Sequence, residues 1–225
     1  MIGISQSHQI VEELGRRSVA RYFAFSVMSD NSGTFQKLQV LGESQNKQQY
    51  LTLLQQNLSK AIAECSQRYS RVVVHTTFKL QQAEVRAIES VVRSAAAQAN
   101  QQTAEFAVVK VNDKGRFAGF NPNTNSLVPF EGTVSSLGRG EYLIWFEGLL
   151  PGRSTVTKAF PGPTHIAITR MGQRSRDLDD SLLQDLLNLS GANWRGFNAR
   201  SAPVSTYYCR LIAKFIQRFH ANNLP

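Results

Sequence analysis

Acidic residues are missing from one end of this 225-residue chain. Between Leu186 and Pro225 there is no Asp or Glu, while Arg195, Arg200, Arg210, Lys214 and Arg218 all fall there. A segment so composed cannot build a carboxylate metal site of its own. It suits a polyanion, because Lys and Arg contacts to phosphate dominate nucleic-acid affinity. Cysteine is nearly as scarce. Cys65 and Cys209 stand apart, each within a stretch of helical spacing and neither in a CxxC pair, which excludes a disulfide scaffold or zinc knuckle. No apolar run approaches the roughly 18 residues that a membrane span needs, so no membrane partner is expected. The opening Met1-Ile-Gly-Ile-Ser5 has neither the basic nor the apolar region of a signal peptide, and a cytoplasmic location is expected. Internal repeats, low-complexity tracts and linkers are absent too.

What remains is the composition of a globular chain, 42% hydrophobic and 18% charged, long enough for one large domain with a proper core. The formal charge of +9 favours an anionic partner, and its concentration at one end strengthens that reading.

Along the chain, Ile2 and Ile4 alternate with small residues, Arg21 to Met28 is aromatic and β-branched, and Phe35 to Leu41 alternates again. Three strands in a meander are predicted. Lys47 to Tyr69 changes period, with Leu51, Leu54, Leu58, Ile62 and Cys65 at helical spacing. Arg71 to His75 reads as a buried strand, Gln81 to Gln101 as a second helix, and Phe106 to Val111 as the next strand. Tyr142 to Phe146 and His165 to Arg170 add strands among turn-rich sequence. Asp177 to Leu189 is a helix whose early aspartates suit its macrodipole. The order predicts an α/β fold, a mixed sheet flanked by helices.

The last helix is predicted to start near Pro203. At about 100° per residue, Val204, Tyr208, Leu211, Phe215 and Phe219 form an apolar stripe, and Tyr207, Arg210, Lys214 and Arg218 a polar one beside it. A solvated basic face is the ordinary fate of such a stripe. Here aligned cations without a neighbouring carboxylate repel one another, and an external phosphate would relieve that repulsion. Ser5, Ser7 and His8 lack an acid to orient the imidazole, which argues against nucleophilic catalysis. His75, in its Val-rich strand, reads as a hydrogen-bonded core or groove residue. The glycines from Gly132 to Gly140 form no phosphate-loop pattern.

Asn193-Trp-Arg195, continuing through Pro203-Val-Ser-Thr-Tyr-Tyr-Cys-Arg-Leu-Ile-Ala213, resembles the C-terminal signature of the PIWI domain of Argonaute proteins. Met1-Ile-Gly-Ile-Ser5 resembles that domain's opening strand and Arg71-Val-Val-Val-His75 its central one. Tyr142 to Gly148 and Pro163 to Ile168 resemble its later strands. The resemblance covers essentially the whole chain, as one PIWI domain over residues 1–225, with no MID, PAZ or N domain visible. It implies an RNase H-like fold that holds a short guide strand and its complementary target, in a prokaryotic defence setting. It further implies that Arg195, Ser201 and Tyr207 contact guide phosphates and that Lys214 lies near a position reaching the guide 5′ phosphate. The terminal carboxylate of Pro225 would help to hold one divalent ion such as Mg2+ there. A MID-containing chain or segment and an effector subunit are the further partners it implies.

Slicing relatives use four metal-binding side chains, three acids and a fourth Asp or His. By the resemblance the first falls at Ser5, the third at Thr76 and the fourth at Arg210, with Glu43 as a candidate for the second. Two-metal cleavage needs carboxylates around hard cations. A cation about 4 Å from a divalent ion costs on the order of 8 kcal/mol at an effective dielectric of about 20, so Arg210 opposes a metal and suits a phosphate. Binding without cutting is expected. The alternatives are a guided endonuclease with a non-standard acid set, and a scaffold that docks a separate effector enzyme.

Overall fold

The computed structural model describes residues 1–13, 16–29, 35–66, 71–78, 80, 85–86, 90, 94, 105–112, 115, 117–152, 162–171, 176–191 and 202–222. Eight strands form one sheet: β1 (Ile2–Glu13), β2 (Arg16–Ser29), β3 (Phe35–Ser44), β4 (Arg71–Thr76), β5 (Glu105–Asn112), β6 (Val134–Gly138), β7 (Glu141–Ile144) and β8 (Thr164–Met171). Their order across the sheet is β3-β2-β1-β4-β5-β8-β7-β6. β1 to β3 make the expected antiparallel meander, β4 and β5 run parallel to β1, and β8 turns antiparallel on β5. This is the mixed, RNase H-like arrangement that the resemblance implies. β1 and β2 run well past their apolar stretches, because backbone pairing continues to Glu13↔Arg16. β6 has no counterpart in the sequence reading. All five of its residues are exposed, so it carries no alternation to find.

Three helices are described along their length, α1 (Lys47–Ser66), α2 (Arg176–Gly191) and α3 (Val204–Asn222). Of the helix expected over 81–101, only Val85, Arg86, Ser90 and Ser94 lie within the described residues, and all four are helical. Asn46 starts α1: its Oδ1 accepts the backbone N–H of Gln48 at 2.8 Å and of Gln49 at 3.1 Å, satisfying donors that a helix start leaves open.

The two-residue period of strands sorts the core into two layers. Ile2, Ile4, Val72 and Val74 face one way and pack with Tyr50, Leu54, Leu58 and Ile62 of α1. Val73, Ala107, Val109, Ile166 and Ile168 face the other way, against Leu182, Leu183 and Leu186 of α2. On that second side α3 crosses β1 and reaches β2.

The apolar stripe expected on α3 fails at Leu211 and Phe215, while Val204 is buried as expected. Leu211 is 43% exposed and Phe215 68%, while Ser205, Thr206, Cys209 and Ala213 are buried. The cause lies in β1. A Cβ at Gly3 would sit 2.1 Å from the Ser205 carbonyl oxygen and 2.6 Å from its carbon, so helix and strand meet backbone to backbone. Only small side chains fit between surfaces that close, and Leu211 and Phe215 are turned outward.

Candidate nucleic-acid interface

Two contacts fasten α3 over the middle of the sheet. The buried thiol of Cys209 donates to the Gly3 carbonyl at 3.1 Å, and His75 Nδ1 lies 2.7 Å from Ser205 Oγ. His75 is 1% exposed, and burial, aided by the chain's amino-terminal charge, pushes its pKa down to about 3. The imidazole is therefore neutral and structural, as its place among valines suggests.

With that face against the sheet, the opposite face of α3 is fixed by geometry. Taking about 100° per residue, the centre of the Tyr207, Arg210, Lys214 and Arg218 stripe lies well over 90° from the Ser205–Cys209–Ala213 line. Tyr207 and Arg210 are half-buried, and Lys214 and Arg218 are exposed. Arg210 follows Cys209 directly and so flanks the contact with β1 instead of lying beneath it. Arg195, Ser201 and Pro225 lie outside the described residues.

Ser5 is buried on β1, on the side of the sheet that faces α3. The residue brought to it is not Thr76 but Thr77, with the two hydroxyl oxygens 3.4 Å apart. Thr76 pairs with Ile4 on the α1 side, where its hydroxyl accepts the Phe78 N–H and donates to the Phe78 carbonyl, closing a local turn. Strand alternation explains the difference: Gly3, Ser5, Val73 and His75 share one face, and the next residue of that parity is Thr77. Thr76, read by the resemblance as the third position, therefore does not share a face with Ser5.

Glu43 is exposed on β3, where it pairs with Phe23, and Phe23 in turn pairs with Ser7 of β1. Two strand spacings, roughly 10 Å, separate it from β1. Among the described residues, the side chains that meet at Ser5 are two neutral hydroxyls, and hydroxyls alone do not balance the charge of paired divalent cations.

The early aspartates of α2 lie in its first turns as expected, but Asp179 does more than complement the helix start. It is buried, its Oδ2 accepts the Tyr142 hydroxyl at 2.5 Å, and it forms an ion pair with Arg170 of β8.

No family model matches the sequence. The chain is 27% identical over 116 residues to a Piwi protein of Archaeoglobus fulgidus, an alignment that spans 50% of this chain and 27% of that protein. The structure superposes on Aquifex aeolicus Argonaute with a TM-score of 0.67 at 14% identity, covering 96% of this chain and 28% of that one. Clostridium butyricum Argonaute bound to a guide DNA and a 19-mer target DNA gives 0.64 at 16% identity, over 96% of this chain and 27% of its own. Marinitoga piezophila Argonaute with a 5′ OH guide RNA gives 0.61 at 10% identity, over 94% and 29%. The chain thus spans little more than a quarter of the length of each of these relatives. No helix among the described residues is long and apolar enough to cross a membrane. The strand order, the fold shared with Argonautes along nearly all of its length, and the similarity to the archaeal protein make this chain a PIWI-like domain.

Proposed function

We propose that this chain is the PIWI module of a guide-dependent nucleic-acid-binding protein, one that holds a short guide and its complementary target without cutting. The observation that carries this reading is the pairing of Ser5 with Thr77 at the sheet centre, beside a helix whose outward stripe is cationic. Phosphates need such cations, and cleavage needs the carboxylates that this position lacks. Arg195, Ser201, Tyr207 and Lys214 serve the guide backbone in this proposal, and Arg210 rests on a phosphate in place of a metal. Base pairing supplies the sequence readout, so the protein reads backbone and shape.

Residues 1–225 act as a single PIWI unit in this proposal. A MID-containing chain or segment holds the guide 5′ end, where one divalent ion is shared with the Pro225 carboxylate. The setting is cytoplasmic defence against invading nucleic acid. The guide DNA and target DNA held by the Clostridium butyricum protein support the class of ligand.

A guided cleavage assay with Mg2+ or Mn2+, run beside a binding assay on the same strands, tests the proposal. Retention of guide and target with intact strands is expected. Site-specific products that disappear in Glu43→Ala would overturn it.

A further inference from the structure

β6 ends the sheet, and among the described residues no strand pairs with its outer edge. The sequence treats the two edges of the sheet differently. β3, at the far edge, carries Lys37 and Glu43, and Lys37 is tied to Glu64 of α1 at 3.1 Å. Charged side chains of that kind discourage a further strand from adding. β6 reads Val134-Ser-Ser-Leu-Gly138, with no charge and no proline, and all of it is exposed. Its two apolar side chains, Val134 and Leu137, are 40% and 44% exposed. Such an edge is a template for another strand.

The backbone groups that this edge offers follow from the ladder on its other side. The Trp145 N–H donates to the Thr133 carbonyl at 3.0 Å, and the register Val134↔Ile144, Ser135↔Leu143 and Ser136↔Tyr142 continues without a shift. Antiparallel bonding alternates along a strand, so Ser135 turns its N–H and C=O toward β7, while Val134 and Ser136 turn theirs outward. Beyond Ser136 the register shifts, and the Gly138 N–H donates to Ser136 Oγ at 3.3 Å.

The flanks of β6 narrow the occupant. Glu131 lies in the turn before the strand and Arg139 in the turn after it, and both are exposed. They stand equally far from Ser135 along the chain. A twofold axis through Ser135 therefore sets Val134 of one copy opposite Ser136 of the other, so that their outward N–H and C=O groups satisfy each other. The same operation sets Thr133 opposite Leu137 and brings Glu131 opposite Arg139 at both ends. Opposite charges facing across paired strands attract. An axis through Ser136 fits less well, because it needs the Gly138 N–H and sets Arg139 opposite Thr133.

We infer that β6 pairs antiparallel with β6 of a second copy of this chain, joining the two sheets into one, with a Glu131–Arg139 ion pair at each end. A few backbone bonds and exposed ion pairs make a weak dimer whose population depends on concentration. The interface takes no part of α3, so its failure leaves the nucleic-acid reading standing, and a failure of that reading leaves the interface untouched.

Sedimentation equilibrium of the whole chain, freed of nucleic acid and measured over a range of concentrations, tests the inference. A monomer–dimer equilibrium is expected. Ser136→Pro removes an outward N–H and no bond to β7, a change that an edge strand tolerates, so this variant should keep the parent's circular dichroism and stay monomeric. Arg139→Glu and Glu131→Arg should each raise the dimer dissociation constant by about tenfold, because attraction becomes repulsion at both ends. Mixing these two variants should restore association, since each then meets an opposite charge at either end. The mixture leaves β6 itself unchanged and decides the matter should Ser136→Pro unfold. A parent chain that stays monomeric throughout, a dimer that persists in a folded Ser136→Pro variant, or a mixture no tighter than its components would overturn the assignment.

Discussion

Replacing Gly3 by Ala should do more damage than any other single methyl group added to β1. The new Cβ would stand 2.1 Å from the Ser205 oxygen, 2.6 Å from its carbonyl carbon and 3.2 Å from its Cα. Ordinary contact begins near 3.5 Å, so α3 must retreat by more than about 1 Å. None of the obstructing atoms belongs to a side chain that could rotate away. Overpacking of this kind costs about 1–3 kcal/mol. The retreat also stretches the Cys209–Gly3 hydrogen bond and the 2.7 Å contact between His75 and Ser205, leaving buried polar groups short of partners at a further cost of about 1–3 kcal/mol. A total near 4 kcal/mol, the middle of that range, corresponds to a fall in Tm of roughly 8–16 °C for a chain of this size. Thermal unfolding followed by circular dichroism measures it, with Gly191→Ala as the control, since a Cβ there meets nothing within 4 Å. A Tm for Gly3→Ala within about 2 °C of the parent would refute the close helix–strand contact on which the placement of the cationic stripe rests.

Other consequences are as direct. Because the folded-state pKa of His75 is depressed to about 3, the unfolded chain binds the extra proton first as the pH falls. Stability is therefore complete above about pH 6.5 and is lost progressively toward pH 3. The loss between pH 7.5 and pH 5 is about 2 kcal/mol, readable as a lower urea midpoint. Equal midpoints at the two pH values would show that His75 is not held neutral. Removing the Tyr142 hydroxyl with Tyr142→Phe takes one donor from the buried Asp179 and should lower stability by about 1.5–3 kcal/mol, as for hydrogen bonds to charged groups. A change within about 0.5 kcal/mol in a denaturant titration would count against that contact.

Much of this architecture is legible in the sequence, and the failures share a physical cause. Leu54, Leu58 and Ile62 mark the buried face of α1 correctly, and three valines mark β4 as a central strand, because these elements bury their largest apolar side chains. α3 does not. Its buried face is chosen by the absence of a side chain at Gly3, a residue some two hundred positions away, so a stripe ranked by hydrophobicity points the wrong way through Leu211 and Phe215. Thr77 was within reach of simple counting, since strand parity from Val73 through His75 leads to it and not to Thr76. Asp179 could not be recognised, because its partners Tyr142 and Arg170 come from β7 and β8 and only the fold unites them. β6 left no trace because an exposed edge strand needs no apolar alternation.

The central claim, that α3 presents its cations to a phosphate backbone, is tested most directly by the salt dependence of strand affinity. Log affinity for a short single strand should fall steeply and linearly with log salt. Lys214→Ala and Arg195→Ala should each reduce the slope by about 0.7–0.9 without changing the preference among sequences. A parent affinity indifferent to salt, or a slope that neither substitution alters, would contradict the account.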